Sequence, residues 1–201
     1  VKISILRLTN TSARERTLGL TAYAEWTLGA QRAQTRHNVR TWFADDVGAL
    51  LAQNRFEAGF ADRVAFLTLS EPVRSFTASR AAFIGRNGSL AYPLAFRRPA
   101  MDGETGVGLD PCAALQCAVT LAPGETREVA VLLGSGATEA DAYRLLDELR
   151  TVEHASAALS AARRAWDDRL SVVTVRTPEP ALDAMLNKWT LYQALSGRMW
   201  A

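Results

Sequence analysis

A chain of 201 residues with 48% apolar and 22% charged residues can bury a real core, and that composition excludes a disordered or fibrous protein. Its 23 basic and 21 acidic residues are mixed along the sequence and leave a formal net charge of +2, so no polybasic block points to nucleic acid or an anionic membrane. No apolar run of about 18 residues is present to span a bilayer, and Val1-Lys2-Ile3-Ser4-Ile5 has neither an initiator Met nor a signal-peptide pattern, which reads as a piece of a longer protein.

From residue 1 to about 134 the hydrophobic period is mostly two. Ile3, Ile5 and Arg7 alternate with Ser4, Leu6 and Leu8, and Asn10-Thr11-Ser12 then turns the chain. A second strand is expected from Arg16 to about Leu28, and others at Arg36–Phe43, Val47–Ala52, Arg63–Leu69, Cys112–Leu121 and Arg127–Leu133. Glycines at 103, 106 and 108 lead into Gly106-Val-Gly-Leu-Asp-Pro-Cys112, a flexible joint that stops where Pro111 can open a strand. Such a joint aims a loop at a target. Pro123-Gly124 is a turn between the last two strands, since Pro presets the first central φ and Gly supplies a positive one. Closely spaced strands without long intervening helices make an antiparallel sandwich.

After Gly134-Ser-Gly136 the pattern becomes helical. Thr138-Glu-Ala-Asp141 resembles a capping box with Asp in the last place, and Ala142, Leu145, Leu146 and Leu149 continue it as one stripe. An alanine-rich helix is expected from about Val152 to Leu170, followed by a short strand or extended linker at Val172-Val173-Thr174-Val175. Thr177-Pro178-Glu179-Pro180 opens a last helix, expected to run to Trp200-Ala201, with Leu182, Met185, Leu186, Trp189 and Tyr192 on one face.

Few residues suggest chemistry. Cys112 and Cys117 are five apart in one strand, which puts them on opposite faces and roughly 16 Å apart, beyond the about 7 Å a disulfide allows. They are expected as free, buried thiols in a reducing compartment, which places the chain in the cytoplasm. Gly103-Glu-Thr-Gly106-Val-Gly108 is no nucleotide loop, because a strand and not a helix follows it. Gly85-Arg-Asn-Gly88 lacks the Lys-Ser/Thr of a phosphate-binding loop and reads first as a turn, with a sugar or interface contact by Arg86 or Asn87 as the second reading. His37 and His154 have no ligand-spaced partners, so no metal site is expected. Asp45-Asp46 and Asp167-Asp168 are adjacent pairs whose side chains diverge, and the five tryptophans at 26, 42, 166, 189 and 200 suit core or interface better than sugar stacking. No nucleophile triad can be assembled, so no catalytic residue and no cofactor is assigned.

Five runs carry a resemblance. Ala22-Tyr-Ala-Glu-Trp-Thr-Leu-Gly29, Gly48-Ala-Leu-Leu-Ala-Gln-Asn54, Phe83-Ile-Gly-Arg-Asn-Gly88, Gly106-Val-Gly-Leu-Asp-Pro-Cys-Ala-Ala-Leu-Gln116 and Ala181-Leu-Asp-Ala-Met-Leu-Asn-Lys-Trp189 are similar, in order and spacing, to glycoside hydrolase family 94. That family holds cellobiose, chitobiose and β-1,2-oligoglucan phosphorylases and the phosphorylase-type region of bacterial cyclic β-1,2-glucan synthases, glycosyltransferases of carbohydrate metabolism. The resemblance implies a mainly β chain with α. Residues 1–134 would be the later part of an antiparallel super-β-sandwich of galactose mutarotase-like type, 135–176 helical linker, and 177–201 the first helix of a truncated (α/α)6 barrel.

In the family one carboxylic acid protonates the glycosidic oxygen while inorganic phosphate, a co-substrate, attacks with inversion; phosphate needs no second carboxylate as base. The resemblance places that acid and the phosphate ligands in the barrel, so no residue here inherits either role. Arg86, Asn87 and Asp110 remain the residues near substrate or an interface, on a long excursion from 86 to 110 that projects towards the barrel or a neighbouring subunit. The implied partners are β-glucan oligosaccharides through the parent enzyme, the rest of the barrel, and a second subunit in a homodimer; an inner-membrane anchor in the parent stays open. Ser196-Gly-Arg-Met-Trp200 departs from the family in lacking a Cys before the Arg. The alternative is a stand-alone carbohydrate-binding or protein-interaction sandwich sharing the fold.

Overall fold

The computed structural model describes residues 1–56 and 58–199. Among the described residues eight strands form two antiparallel sheets. Four border one side or the other: β1 (Lys2–Thr9), β2 (Arg16–Glu25), β3 (Val39–Ala44) and β6 (Ser75–Ser79). The inner four are β4 (Ala49–Asn54), β5 (Val64–Leu69), β7 (Pro111–Leu121) and β8 (Thr126–Gly136). The larger sheet runs β1-β8-β5-β4-β3 and the smaller β2-β7-β6.

Side-chain alternation decides what each face meets. Leu50 and Ala52 of β4, Leu67 and Leu69 of β5 and Val129 of β8 point at Leu115, Cys117, Val119 and Leu121 of β7, closing the core between the sheets. Their neighbours Ala49, Leu51, Phe66, Ala130 and Leu132 point the other way, onto α3 (Glu139–Leu149) through Ala142 and Leu146. The larger sheet is therefore covered on both faces. That is why β4 and β5 are buried at every position and read as continuous apolar runs rather than alternating ones.

Several boundaries differ from expectation for local reasons. The second strand ends at Glu25 and not Leu28, because Leu28 takes a positive φ of 39° and turns the chain out of the sheet. The expected strand at 36–43 begins at Val39: Arg36–Asn38 form a 3₁₀ turn behind a single helical turn, α1 (Arg32–Thr35). β6 and the short helix after it, α2 (Arg80–Ile84), are additional elements, too brief and too polar to register as periodic. The expected strand or extended linker at 172–175 is a bend at Val172 and Val173 followed by irregular chain, with no strand pairing among the described residues.

Other expectations hold in detail. Glu125 N–H donates to Ala122 O at 3.0 Å around Pro123-Gly124, with Gly124 at φ 75°. Thr138 Oγ1 accepts from Asp141 N–H at 3.2 Å to cap α3, while the Asp141 carboxylate bonds the Thr138 hydroxyl, so only half of a capping box forms. Cys117 joins the core between the sheets; Cys112, five residues earlier, shares the outer face with Ala114, and both thiols are free and buried.

The chain divides into Val1–Ala155 and Ser156–Ala201, the boundary lying within α4 (Val152–Leu170). In the second unit α5 (Pro180–Ala184) continues through a π-helical turn, Met185–Trp189, into α6 (Thr190–Met199). Asn187 holds the preceding linker by two 2.7 Å bonds to the Val175 backbone, and Trp166 packs edge-on to Tyr192 at 5.4 Å. Leu182, Met185, Leu186, Trp189 and Tyr192 are all substantially exposed. The expected continuation of this helix into Trp200-Ala201 lies outside the described residues. Among the described residues no helix is long and apolar enough to cross a membrane.

Candidate functional site

Between β6 and β7 lies the longest connection between strands among the described residues, and its two ends are held by charge. Arg80, the first residue of α2, and Asp110, just before β7, meet through Arg80 N–H to Asp110 O at 2.9 Å. Around them Glu25 and Asp110 alternate with Arg32 and Arg80. Arg32 reaches Glu25 at 3.0 Å and Asp110 at 2.8 Å; Arg80 reaches Glu25 at 2.9 Å and Asp110 at 3.6 Å. Tyr23 donates a further 2.8 Å bond to Glu25.

Burial works against the Glu25 carboxylate, but hydrogen bonds from Tyr23 and Arg80 and the charge of Arg32 outweigh it and hold the group below its ordinary range. Arg80 is pushed up chiefly by its bond to Glu25. Burial, and next the bond to Glu25, push the Tyr23 phenol up. Burial likewise drives the neighbouring Cys112 thiol to about 12, which removes it as a nucleophile. The ring is thus fully paired and acts as a clasp rather than a reactive centre.

Above this clasp the excursion packs on the outer face of the smaller sheet. Phe83 and Ile84 of α2 and Ala95 bury against Ala114, with Tyr23 and Met101 alongside. Phe83 stacks on Tyr23 at 4.7 Å and meets Phe96 edge-on at 6.1 Å. Ser79 caps α2 by accepting from Ala82 N–H, and Gly85 ends it at φ 90°. Gly88 closes the next turn so tightly that a Cβ there would lie 1.9 Å from Ile84 O. Arg86 and Asn87 are therefore presented by a turn that only glycine permits.

That turn folds over a 3₁₀ segment, Leu94–Arg97, leaving a cavity of about 250 Å³ lined by Ile84, Gly85, Arg86, Asn87, Gly88, Tyr92, Leu94 and Arg97. Arg86 and Asn87 share this cavity. Asp110 does not; it sits in the clasp below. Tyr92 and Arg97, unmarked by any sequence motif, complete the site because the chain doubles back on itself. Arg32 and Arg80 went equally unmarked, since Arg32 meets Asp110 78 residues along the chain and Arg80 meets Glu25 55 residues back.

The glycine-rich joint after the excursion reaches the molecule's own edges. Gly103 N–H donates to Phe76 O at 2.9 Å and Ala78 N–H to Glu104 O at 2.7 Å, lengthening the smaller sheet beyond β6. Thr41 N–H on β3 of the other sheet donates to Gly106 O at 2.8 Å. Residues 103–106 thus tie the two sheets together along one side.

Other candidates are dispersed. Asp45 lines a wider cavity of about 660 Å³ with Glu71, Arg150 and Glu153, while Asp46 faces Tyr143, whose phenol is pushed up by burial and then by that charge. Trp26 is buried, Trp42 lies under Arg40 at 5.4 Å, and Trp189 is exposed in the second unit. His37 accepts a 3.2 Å bond from Arg36. Among the described residues no group of three His, Cys, Asp or Glu side chains could hold a metal.

Comparison with known proteins fits this arrangement. Residues 1–152 match the model of the family described as glycosyl hydrolase 94, supersandwich domain. All 201 residues are 36% identical to a segment making up 7% of the cyclic β-(1,2)-glucan synthase NdvB of Rhizobium meliloti (strain 1021). The N,N'-diacetylchitobiose phosphorylases of Vibrio furnissii and Vibrio proteolyticus are 31% and 32% identical over 68% and 63% of the chain, which spans 17% and 16% of their lengths. The chain is thus far shorter than the relatives it matches. Two stacked antiparallel sheets, with the strand order found here and a family match that runs to the start of α4, place this chain in the glycosyl hydrolase 94 supersandwich family.

Proposed function

We propose that the chain is the supersandwich and linker portion of a larger inverting β-glucan phosphorylase or cyclic β-1,2-glucan synthase, and that it is itself architectural and substrate-facing rather than catalytic. The observation that carries this is the end-to-end similarity to a glucan synthase segment, joined to a family match confined to the sandwich. In this reading residues 1–134 are the later part of the sandwich, 135–176 the linker, and 177–201 the first helix of an (α/α)6 barrel whose remaining helices cover the exposed face of Leu182, Met185, Leu186, Trp189 and Tyr192.

The excursion is the substrate-facing part. Its foot is locked by the four-charge clasp, and its tip holds out Arg86, Asn87 and Tyr92 on a turn of fixed geometry. Arginine, amide and an exposed aromatic ring are the groups that bind sugar hydroxyls and stack on pyranose faces. Asp110 contributes by positioning. The same tip would serve as a homodimer contact if a second copy approaches it. The parent's chemistry is phosphorolysis in the cytoplasm, with inorganic phosphate as co-substrate and the proton supplied by one acid elsewhere in the protein.

The test uses two proteins, the 201-residue chain and the same chain extended by its downstream coding region, each given phosphate and β-1,2-glucan. Sugar 1-phosphate release is expected from the extended protein alone. Turnover by the 201-residue chain would overturn the non-catalytic assignment. Silence from both would favour a stand-alone sandwich module.

A further inference from the structure

We propose that the cavity at the tip of the excursion binds the anionic group of a carbohydrate, a phosphate or carboxylate carried on a sugar ring, with Arg86 and Arg97 as paired cations and Tyr92 as the surface for the ring. This deepens the substrate-facing reading given above and rests on it for the sugar; the anion is argued separately, from charge.

The chain as a whole is nearly balanced, yet residues 81–101 hold Arg86, Arg97 and Arg98 and no Asp or Glu. The nearest carboxylates at the foot, Glu25 and Asp110, are already paired with Arg32 and Arg80. Among the described residues neither Arg86 nor Arg97 takes part in an ion pair, although both line one cavity. Two guanidinium groups lining one cavity without a counter-charge leave it positive, and an anion seated there offers acceptors to both forks.

Size narrows the ligand. A cavity of about 250 Å³ is below the roughly 300 Å³ where drug-sized pockets begin, so one charged group with one ring fits and a longer oligosaccharide must extend outside. Tyr92, 79% exposed at the rim, supplies the flat apolar surface such a ring needs. The scaffold is preorganised, because Gly85 and Gly88 fix the turn and Phe83 anchors it to the sheet. Little ordering entropy is then lost on binding.

The experiment is an amide NMR titration of the 201-residue chain at constant ionic strength with inorganic phosphate, glucose 6-phosphate, glucose and a neutral β-1,2-glucan oligosaccharide. Saturable shifts are expected at Gly85–Gly88 and Tyr92 with phosphate and glucose 6-phosphate, the latter binding more tightly through the ring, and no saturation with glucose at equal concentration. Arg86→Ala or Arg97→Ala should each weaken phosphate binding by about tenfold or more, with Arg86→Lys retaining part of it. Both arginines are exposed, so spectra elsewhere should match the wild type.

Absence of a saturable phosphate response, or an undiminished one in the double alanine variant, overturns the proposal. A shift at these amides with the neutral glucan but not with phosphate also overturns it, while leaving the substrate-facing reading intact. A phosphate response without any glucan response supports the anion site and removes that reading instead. Dimer loss on Arg97→Glu in a protein deaf to phosphate would assign the arginines to an acidic protein surface and sink the proposal.

Discussion

Along one side of the sandwich the border strands β3 and β6 are covered by residues 103–106, which bond to Thr41, Phe76 and Ala78, and Phe43 stacks on Phe76 across the two sheets at 3.9 Å. Along the other side β1 and β2 have no such cover among the described residues. A cleft of about 260 Å³ opens there between the sheets, lined by Leu6, Leu20, Ala22, Leu67, Val131 and Leu133, and Leu18 lies exposed on β2. An uncovered border strand presents unpaired backbone groups to any passing strand, whereas a covered one is inert. The difference teaches where precision is built: residues 103–106 close one side by bonding to both sheets, while the clasp fastens the two ends of the excursion to Glu25 at the end of β2.

If the excursion that supplies this cover is rigid because it is packed on the smaller sheet, removing its anchor should do most damage. Phe83→Ala deletes a buried ring stacked on Tyr23 and should cost about 3–5 kcal/mol in denaturant unfolding. A cost below that of an ordinary surface change would show the excursion to be a loosely attached loop.

The clasp comes next. Glu25→Gln leaves Arg32 and Arg80 short of a shared anion and should cost about 1–2 kcal/mol at neutral pH, the pair being partly exposed and screened. Because the Glu25 carboxyl is held below its ordinary value in the folded chain, its contribution is present above the unfolded pKa and lost as pH falls through the depressed folded one. The wild type should therefore lose stability on the acid side of the usual carboxylate range more steeply than the variant. Parallel acid limbs would exclude the clasp as their cause.

Smaller still, Thr41→Val removes a hydroxyl that accepts from Gly106 N–H at 3.0 Å and donates to its carbonyl at 3.1 Å. About 1 kcal/mol and faster exchange at Gly106 are expected, measured by thermal unfolding and amide exchange. On the open side Leu18→Lys, at a 37% exposed position, should shift stability by no more than about 0.5 kcal/mol. It should nonetheless lower self-association in sedimentation, as a charge on a border strand does. Association unchanged by the lysine would mean that this side is not sticky.

The sandwich was readable because apolar runs, Pro-Gly turns and the switch to helical period are local signals; Val64–Leu69 and Pro111–Leu121 could hardly be anything but strands. β6 was not, since Ser75–Ser79 is short and its burial comes from residues far along the chain. The site divides in the same way. Arg86 and Asn87 stand out because glycines flank them, but Tyr92 and Arg97 join them only through the fold of the excursion. Asp110 drew notice as part of a glycine-rich joint, and its partners Arg32 and Arg80 could be identified only once β2, β6 and β7 were side by side.

Native-state hydrogen exchange compares the two sides most directly. The account predicts that the amides of Thr41, Ala78, Gly103 and Gly106, all donors along the covered side, exchange as slowly as the inner strands, while the outward-facing amides of Arg16–Glu25 exchange orders of magnitude faster. Rapid exchange at Gly103 and Gly106 together with protection along the outer edge of β2 would contradict it.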